Sequence, residues 1–286
     1  MRIALCLSGQ MRTYKSCYSS LMRNLINPLN PDIFIDTWSN SGISTYLSRR
    51  YNINKKYSIV KENEIKTEEL KSLYKTNHIN IEKFKSKFVN ELNGISVPEE
   101  VKKIGPRQYQ GNLPMFYKMY KCNKMKCEYE EKYNFKYDLV IRMRPDIQLK
   151  DKLPIKFFIK NKNIFFRPSA NHGKLPAKFC TDQFGIGNSE VMDYYSNIFK
   201  NLTEYWKNPF GDKDELIKLG FTENEINEYP SNLNICYRLG ERLMTYHMYK
   251  SNYKILDYST NFKLMRPKSQ SFQEFLALVK MKIKSK

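Results

Sequence analysis

Apolar positions along the chain switch repeatedly between a continuous or alternating pattern and a helical one. "RIALCLSG" is a short, nearly continuous apolar run closed by Ser8 and Gly9, the pattern of a strand buried on both faces. The next segment changes period. Tyr14, Tyr18, Leu21, Met22 and Leu25 fall at helical spacing, and Pro28 is expected to stop the helix. "DIFIDTW" (Asp32 to Trp38) reads as a second strand, which makes a βαβ unit with a right-handed crossover. Residues 40 to 110 are less regular. "YSIV" (Tyr57 to Val60) is a candidate third strand, and "EIKTEELKSLYK" and "IEKFKSKFVNEL" read as amphipathic, mostly solvated helices. From Asn112 to Tyr133, Met115, Met119, Cys122, Met125 and Tyr129 return to helical spacing. "YDLVIRMRPDIQL" (Tyr137 to Leu149), "NIFFRP" (Asn163 to Pro168) and "DQFGIG" (Asp182 to Gly187) read as extended segments. Ser189 is placed as the cap of a helix running to Trp206, with Glu190 in its first turn. A last helix from Gly240 to Lys250 leads into "YKILDYS". This alternation predicts an α/β fold, a Rossmann-like α/β/α sandwich with a mostly parallel central sheet. It is read as one domain over 1–286, with a variable helical insertion at about 40–105 and a basic C-terminal tail at about 266–286.

Composition narrows the picture in three places. No apolar run approaches the roughly 18 residues of a membrane span. The start, "MRIALCLSGQ", lacks a long apolar region and a cleavage site, so it reads as a first strand and the protein is expected to be cytoplasmic. The formal net charge of +20 has two readings. A basic protein attracts nucleic acid, anionic membrane or phosphorylated substrates. Alternatively, abundant Lys, Asn, Ile and Tyr reflect an A/T-rich genome, and the lysines are scattered along the whole chain. Only "KMKIKSK" concentrates charge, which leaves room for peripheral contact with an anionic membrane. The six cysteines form no C-x-x-C pair and there are three histidines, which argues against a structural zinc site and for reduced, buried thiols.

Candidate chemistry sits where strands end, since ligands of open α/β sheets bind beyond the carboxyl ends of the strands. In "SGQMR", Ser8 and Gly9 permit close backbone approach, the following helix start favours an anion, and Arg12 lies on the first turn. A tight strand-to-helix turn would also explain it. In "YDLVIRMRPDIQL", Arg142 and Arg144 share one strand face, Pro145 ends the ladder, and Asp146 emerges at the crevice. Such charges must be paired or bind something ionic. Arginine forks match a diphosphate and an aspartate can hold a divalent cation, whereas an internal ion pair would close the strand. In "CTDQFGIG", Asp182 follows the long loop "RPSANHGKLPAKF", with His172 and Gly173, in the manner of a lid, although Asp182 could equally cap a turn. Glu241, at the start of the last helix, is a further carboxylate.

In that order, "LCLSGQMRTY", "DIFIDTW", "YDLVIRMRPDIQL" and "DQFGIG" resemble a group of bacterial and large-virus glycosyltransferase-like proteins of capsule and lipopolysaccharide synthesis. Their pattern is a Ser-Gly-x-x-Arg start, a strand ending in Thr-Trp, an Arg-x-Arg-x-Asp strand and a later Asp-Gln-Phe. The resemblance covers most of the chain outside residues 40 to 105. It implies a glycosyltransferase A-type fold and a hexosyl- or deoxyhexosyltransferase that uses a nucleotide-sugar donor, with UDP or GDP as the nucleotide, and a glycan acceptor. It also implies a role in polysaccharide biosynthesis; no nucleic-acid partner is expected, because the arginines sit at strand ends and no RNA- or DNA-binding motif is legible. Carried over, Ser8, Gly9, Arg12, Arg142 and Arg144 bind the donor, Asp36 contacts ribose or base, and Asp182 or Glu241 is the catalytic carboxylate. Asp146 stands where a metal ligand for Mn²⁺ or Mg²⁺ is expected, but Arg142 and Arg144 occupy the place of the first acid, which weakens a metal site. The alternatives are a basic nucleic-acid-binding protein, which would cluster Lys, Arg and aromatics on one surface, and a non-catalytic nucleotide-sugar binder.

Overall fold

The computed structural model describes residues 1–42, 63–104, 111–169, 180–207 and 240–265, together with a few single positions between 207 and 240. In chain order the elements begin with β1 (Ile3–Gly9), α1 (Tyr14–Leu21), β2 (Asp32–Trp38), α2 (Thr67–Tyr74) and β3 (His78–Glu82). They continue with β4 (Glu91–Leu92), β5 (Ile95–Ser96), α3 (Glu99–Ile104), α4 (Asn112–Lys132), β6 (Leu139–Met143), β7 (Ile147–Leu149) and α5 (Ile155–Lys160). The last are β8 (Ile164–Ser169), β9 (Phe184–Gly187), α6 (Ser189–Ser196), α7 (Ile198–Tyr205), α8 (Gly240–Tyr249), β10 (Lys254–Ser259) and β11 (Phe262–Leu264).

Seven strands form the central sheet in the order β10-β8-β9-β6-β1-β2-β3. β1, β2, β3 and β6 run parallel, as do β8 and β10, while β9 lies antiparallel between β6 and β8. The alternation of side chains along β1 explains the layering. Ile3, Leu5 and Leu7 pack with residues of α1, α2 and α5, whereas Ala4 and Cys6 face α4, α6, α7 and α8 on the other side. The result is a mixed α/β sandwich with a large, mostly parallel sheet.

Several expectations need correction. "IEKFKSKFVNEL" is not a helix: Ile81 and Glu82 close β3, residues Ser86–Val89 form a 3₁₀ turn, and β4 follows. Ile81, Phe84 and Phe88 mimic helical spacing, but Ile79 and Ile81 belong to an edge strand paired with β2, and Phe84 and Phe88 dock on Trp38. The stretch 40–105 therefore supplies the edge of the sheet as well as helix α2. Pro28 does not stop the first helix. The chain widens into a π turn at Met22–Ile26, makes one more helical turn over Asn27–Leu29, and ends at Asn30 with φ 44°. Asn188, not Ser189, caps α6: its side chain accepts from the Val191 amide at 3.2 Å, and the helix breaks at Asn197 before α7. "YSIV", the loop with His172 and Gly173, Cys236 and the basic tail lie outside the described residues. The five described cysteines are free, and all but Cys127 are buried. No described helix is long and apolar enough to cross a membrane.

Candidate active site

The carboxyl ends of β1, β2 and β6 lie side by side, because all three strands are parallel and adjacent. Ser8 of β1 is level with Asp36 of β2, and Arg142 of β6 is level with Cys6. The three polar residues therefore fall on the sheet face that α4 covers.

Arg142 is 1% exposed and spans three strands. Its Nε donates to Ser8 Oγ at 2.9 Å, Nη2 to the Ser8 carbonyl at 3.4 Å, and Nη1 to the backbone carbonyl of Asp182 at the entry to β9. Two residues on, Arg144 grips Asp146 with both edges of its fork: Nε donates to Oδ1 at 2.9 Å and Nη2 to Oδ2 at 2.7 Å. Its Nη1 stands 3.6 Å from Asp182 Oδ2, and its amide donates to the Gln183 carbonyl at 3.0 Å. Arg12 completes the chain: Nη1 donates to Asp146 Oδ2 at 3.2 Å and Nη2 to Gln10 Oε1 at 2.7 Å. Ser8, Arg12, Arg142, Arg144, Asp146 and Asp182 are thus joined in one continuous network. Asp146 is fully buried and Asp182 nearly so, while Arg12 and Arg144 each keep 17% of the side chain in solvent. Buried charge is tolerated here because each buried group meets an opposite charge or a hydrogen-bonding partner.

The backbone is shaped to make this possible. Gly9 leaves β1 at φ 111°, a conformation few other residues adopt. Arg12 sits at φ 36°, left-handed and strained for an arginine, with its amide donating to the Ser41 carbonyl at 2.7 Å. Pro145 ends the β6 ladder, and the Met265 amide beyond β11 donates to the Asp146 carbonyl at 2.8 Å. The entry to β9 is fixed from the helices: Tyr195 hydroxyl donates to the Thr181 carbonyl and the Cys180 amide to Thr245 Oγ1.

Asp36 is placed differently from the rest. Its carboxylate is fully buried and meets Lys118 Nζ of α4 at 2.7 Å and Asn80 Nδ2 of β3 at 2.8 Å. Burial pushes its pKa up to about 6, with Lys118 and Asn80 pulling the other way. Lys118 also reaches Glu82 at 3.2 Å and lies over the Trp38 ring, and the Tyr117 hydroxyl donates to Glu82. Burial would raise the Glu82 pKa too, but Lys118 and Asn80 outweigh it and hold the carboxylate below its ordinary range. Lys118, Glu82, Asn80 and Gln10 escape the sequence reading. The signal for Lys118 is present: it falls one turn before Cys122 on the buried stripe of α4. Glu241 lies in the first turn of α8, and its side chain is outside the described residues.

The donor set at Asp146 does not fit a divalent cation as it stands. Both oxygens accept from guanidiniums, and a cation at carboxylate distance would stand beside two positive charges. Elsewhere among the described residues, Cys127, Glu130 and Asp193 bring ligand atoms within 4.8 Å of one another, but Lys126 Nζ already holds Asp193 at 2.6 Å and Glu130 at 3.0 Å.

No curated protein matches the chain at a significant level. Among solved structures, it is similar to a glycosyltransferase involved in the glycosylation of the major capsid of PBCV-1, over 98% of this chain and 100% of that one, with 10% identity and a TM-score of 0.33. A likeness that distant carries no argument about activity. A family model matches residues 1–198, which hold every candidate from Ser8 to Asp182 and stop short of Glu241. The chain accordingly belongs to the family described as a domain of unknown function (DUF7796).

Proposed function

We propose that this chain is a glycosyltransferase that moves a sugar from a nucleoside-diphosphate sugar to a glycan or glycoconjugate acceptor. The observation that supports it most is the convergence of Arg12, Arg142 and Arg144 with Asp146 and Asp182 at the carboxyl edge of parallel strands. Among the described residues this gathers three guanidiniums and two carboxylates at the edge where α/β sheets bind ligands, which suits an anionic leaving group. The ordered sequence motifs point the same way.

In this reading Arg12 and Arg144, the two arginines with solvent access, touch the diphosphate, and Arg142 positions Ser8 and the Asp182 backbone. Transfer forms a bond from the acceptor oxygen to the anomeric carbon and breaks the bond to the β-phosphate oxygen. The diphosphate leaves with the electron pair, towards the guanidiniums. The acceptor's proton passes to a carboxylate, assigned to Asp182, with Glu241 as the second candidate.

The test is calorimetric titration of the full chain with UDP, GDP and inorganic pyrophosphate, followed by nucleoside-diphosphate release in the presence of glycan acceptors. Saturable diphosphate binding and acceptor-dependent release are expected. Absence of diphosphate binding together with tight duplex DNA binding would replace this reading with the nucleic-acid one.

A further inference from the structure

Asp146 is where two lines of reasoning part. Its place at the end of an Arg-x-Arg-x-Asp strand invites a metal, yet its surroundings exclude one as built. The carboxylate is fully buried and receives three charge-assisted donations, two from Arg144 and one from Arg12. Such pairs are short, directional and hold planar groups in register. Here the two arginines that hold the buried carboxylate are themselves only partly buried, with 17% of each side chain exposed. Arg12 moreover reaches it from a left-handed backbone, held by the Ser41 carbonyl on one side and by Gln10 Oε1 on its guanidinium. Non-glycine residues persist in that conformation only where the surroundings enforce it, and such residues cluster at functional sites.

We infer that the site takes its diphosphate without a divalent cation, with Asp146 acting as the buried anchor that splays Arg12 and Arg144 into a two-armed phosphate clamp. This rests on the nucleoside-diphosphate reading above and deepens it. The ligand class is a nucleotide with two linked phosphoryl groups. One arm serves each phosphoryl group, and the third guanidinium, on Arg142, backs the clamp from within the sheet. The positive charge that a metal would bring is already present as arginine. A guanidinium offers planar, forked donation to phosphoryl oxygens, which a lysine ammonium does not reproduce.

The experiment measures UDP, GDP and pyrophosphate affinity of the full chain by calorimetry in two buffers. One is freed of metal over a chelating resin, because EDTA is itself a polyanion that competes for arginines. The other contains Mn²⁺. Equal affinity in both, within about threefold, is expected. Arg144→Lys keeps a charge beside Asp146 but loses the fork, and should weaken metal-free binding by about tenfold or more. Asp146→Asn should weaken metal-free binding as well, because the arms lose their anchor. A metal ligand would behave oppositely: its loss would remove only the Mn²⁺-dependent part. Binding seen only with Mn²⁺ overturns the clamp and leaves the transferase reading standing. Binding in neither buffer overturns both. If Asp146→Asn melts early and cannot be titrated, Arg144→Lys and the two-buffer comparison of the unmodified chain still decide.

Discussion

The network around Asp146 and the cluster around Lys126 both bury charge, yet they are built differently. Lys126 donates to Glu130, Asp193 and Ser189, and Lys136 joins Glu130 from outside. Two lysines face two carboxylates, the Lys126 ammonium is fully buried, and the Tyr137 amide takes the remaining Glu130 oxygen. Every charge is answered within the cluster, at the end of α4 where the chain turns into β6. Among the described residues the Asp146 network sets three guanidiniums against two carboxylates, and Arg12 and Arg144 each keep 17% of the side chain exposed. Burial alone does not mark a binding site. What distinguishes the Asp146 network is its place at the carboxyl edge of the parallel strands, with arginines that keep part of their side chains in solvent.

The comparison can be broken by experiment, first at the closed cluster. Lys126→Met removes the ammonium and strands two carboxylates, and losing one partner of a buried pair costs about 3–5 kcal/mol. Denaturant unfolding should show that loss, while UDP affinity of the folded protein stays unchanged. A drop in UDP affinity would mean that the two regions are one site. Next, Asp182→Asn should lower transfer by about 10²–10⁴-fold and leave donor binding intact, as expected for a lost general base. If Asp182→Asn is active and Glu241→Gln is dead, the base has been assigned to the wrong carboxylate. Arg144→Ala should weaken UDP binding by about 1.5–3 kcal/mol, the value of a charge-assisted hydrogen bond. Stability that falls with no change in UDP affinity would assign Arg144 to the closed class.

The smallest effect concerns Asp36, which stands between the two classes. Its folded carboxyl holds a proton up to about pH 6, above its ordinary value of 3.8. Between those values the folded chain binds more protons than the unfolded one, so Asp36 makes stability fall as pH rises through that window. The slope is at most about 1.4 kcal/mol per pH unit for one proton. Asp36→Asn should remove it, read as the difference between the two pH–stability curves. Identical slopes would show that Lys118 and Asn80 keep Asp36 ionised throughout.

Much of the frame was legible in the sequence. β1, β2, α4 and β6 were read nearly to the residue, because an apolar run bounded by Ser-Gly or Arg-Pro, or a sustained helical stripe, leaves little choice of period. Ser8, Arg12, Arg142, Arg144, Asp146 and Asp182 could be singled out because strand ends are local features. Their mutual contacts could not, since these depend on β6 lying between β1 and β9. β3 was missed because an edge strand with half-exposed side chains carries little apolar signal, and Phe84 and Phe88 imposed a false helical spacing. Without β3 in place, the partners Asn80 and Glu82 of the Asp36–Lys118 pair had no address. The reversal of β9 was equally hidden, since a four-residue strand with two glycines says nothing of its direction.

That reversal ties the site to a long stretch of chain. A parallel strand delivers its end to the carboxyl edge, but β9 delivers its beginning, so the chain that leaves after Asp146 returns at Asp182 to the same place. The Arg142 and Arg144 contacts to Asp182 and Gln183 fasten the two ends of this excursion together. On the proposed reading, a ligand that tightens the arginines also tightens the fastening, and coupling between two equilibria is reciprocal. Opening of the excursion and release of the ligand then share a single free energy. The factor by which a bound ligand would disfavour opening equals the factor by which opening would weaken the ligand's binding.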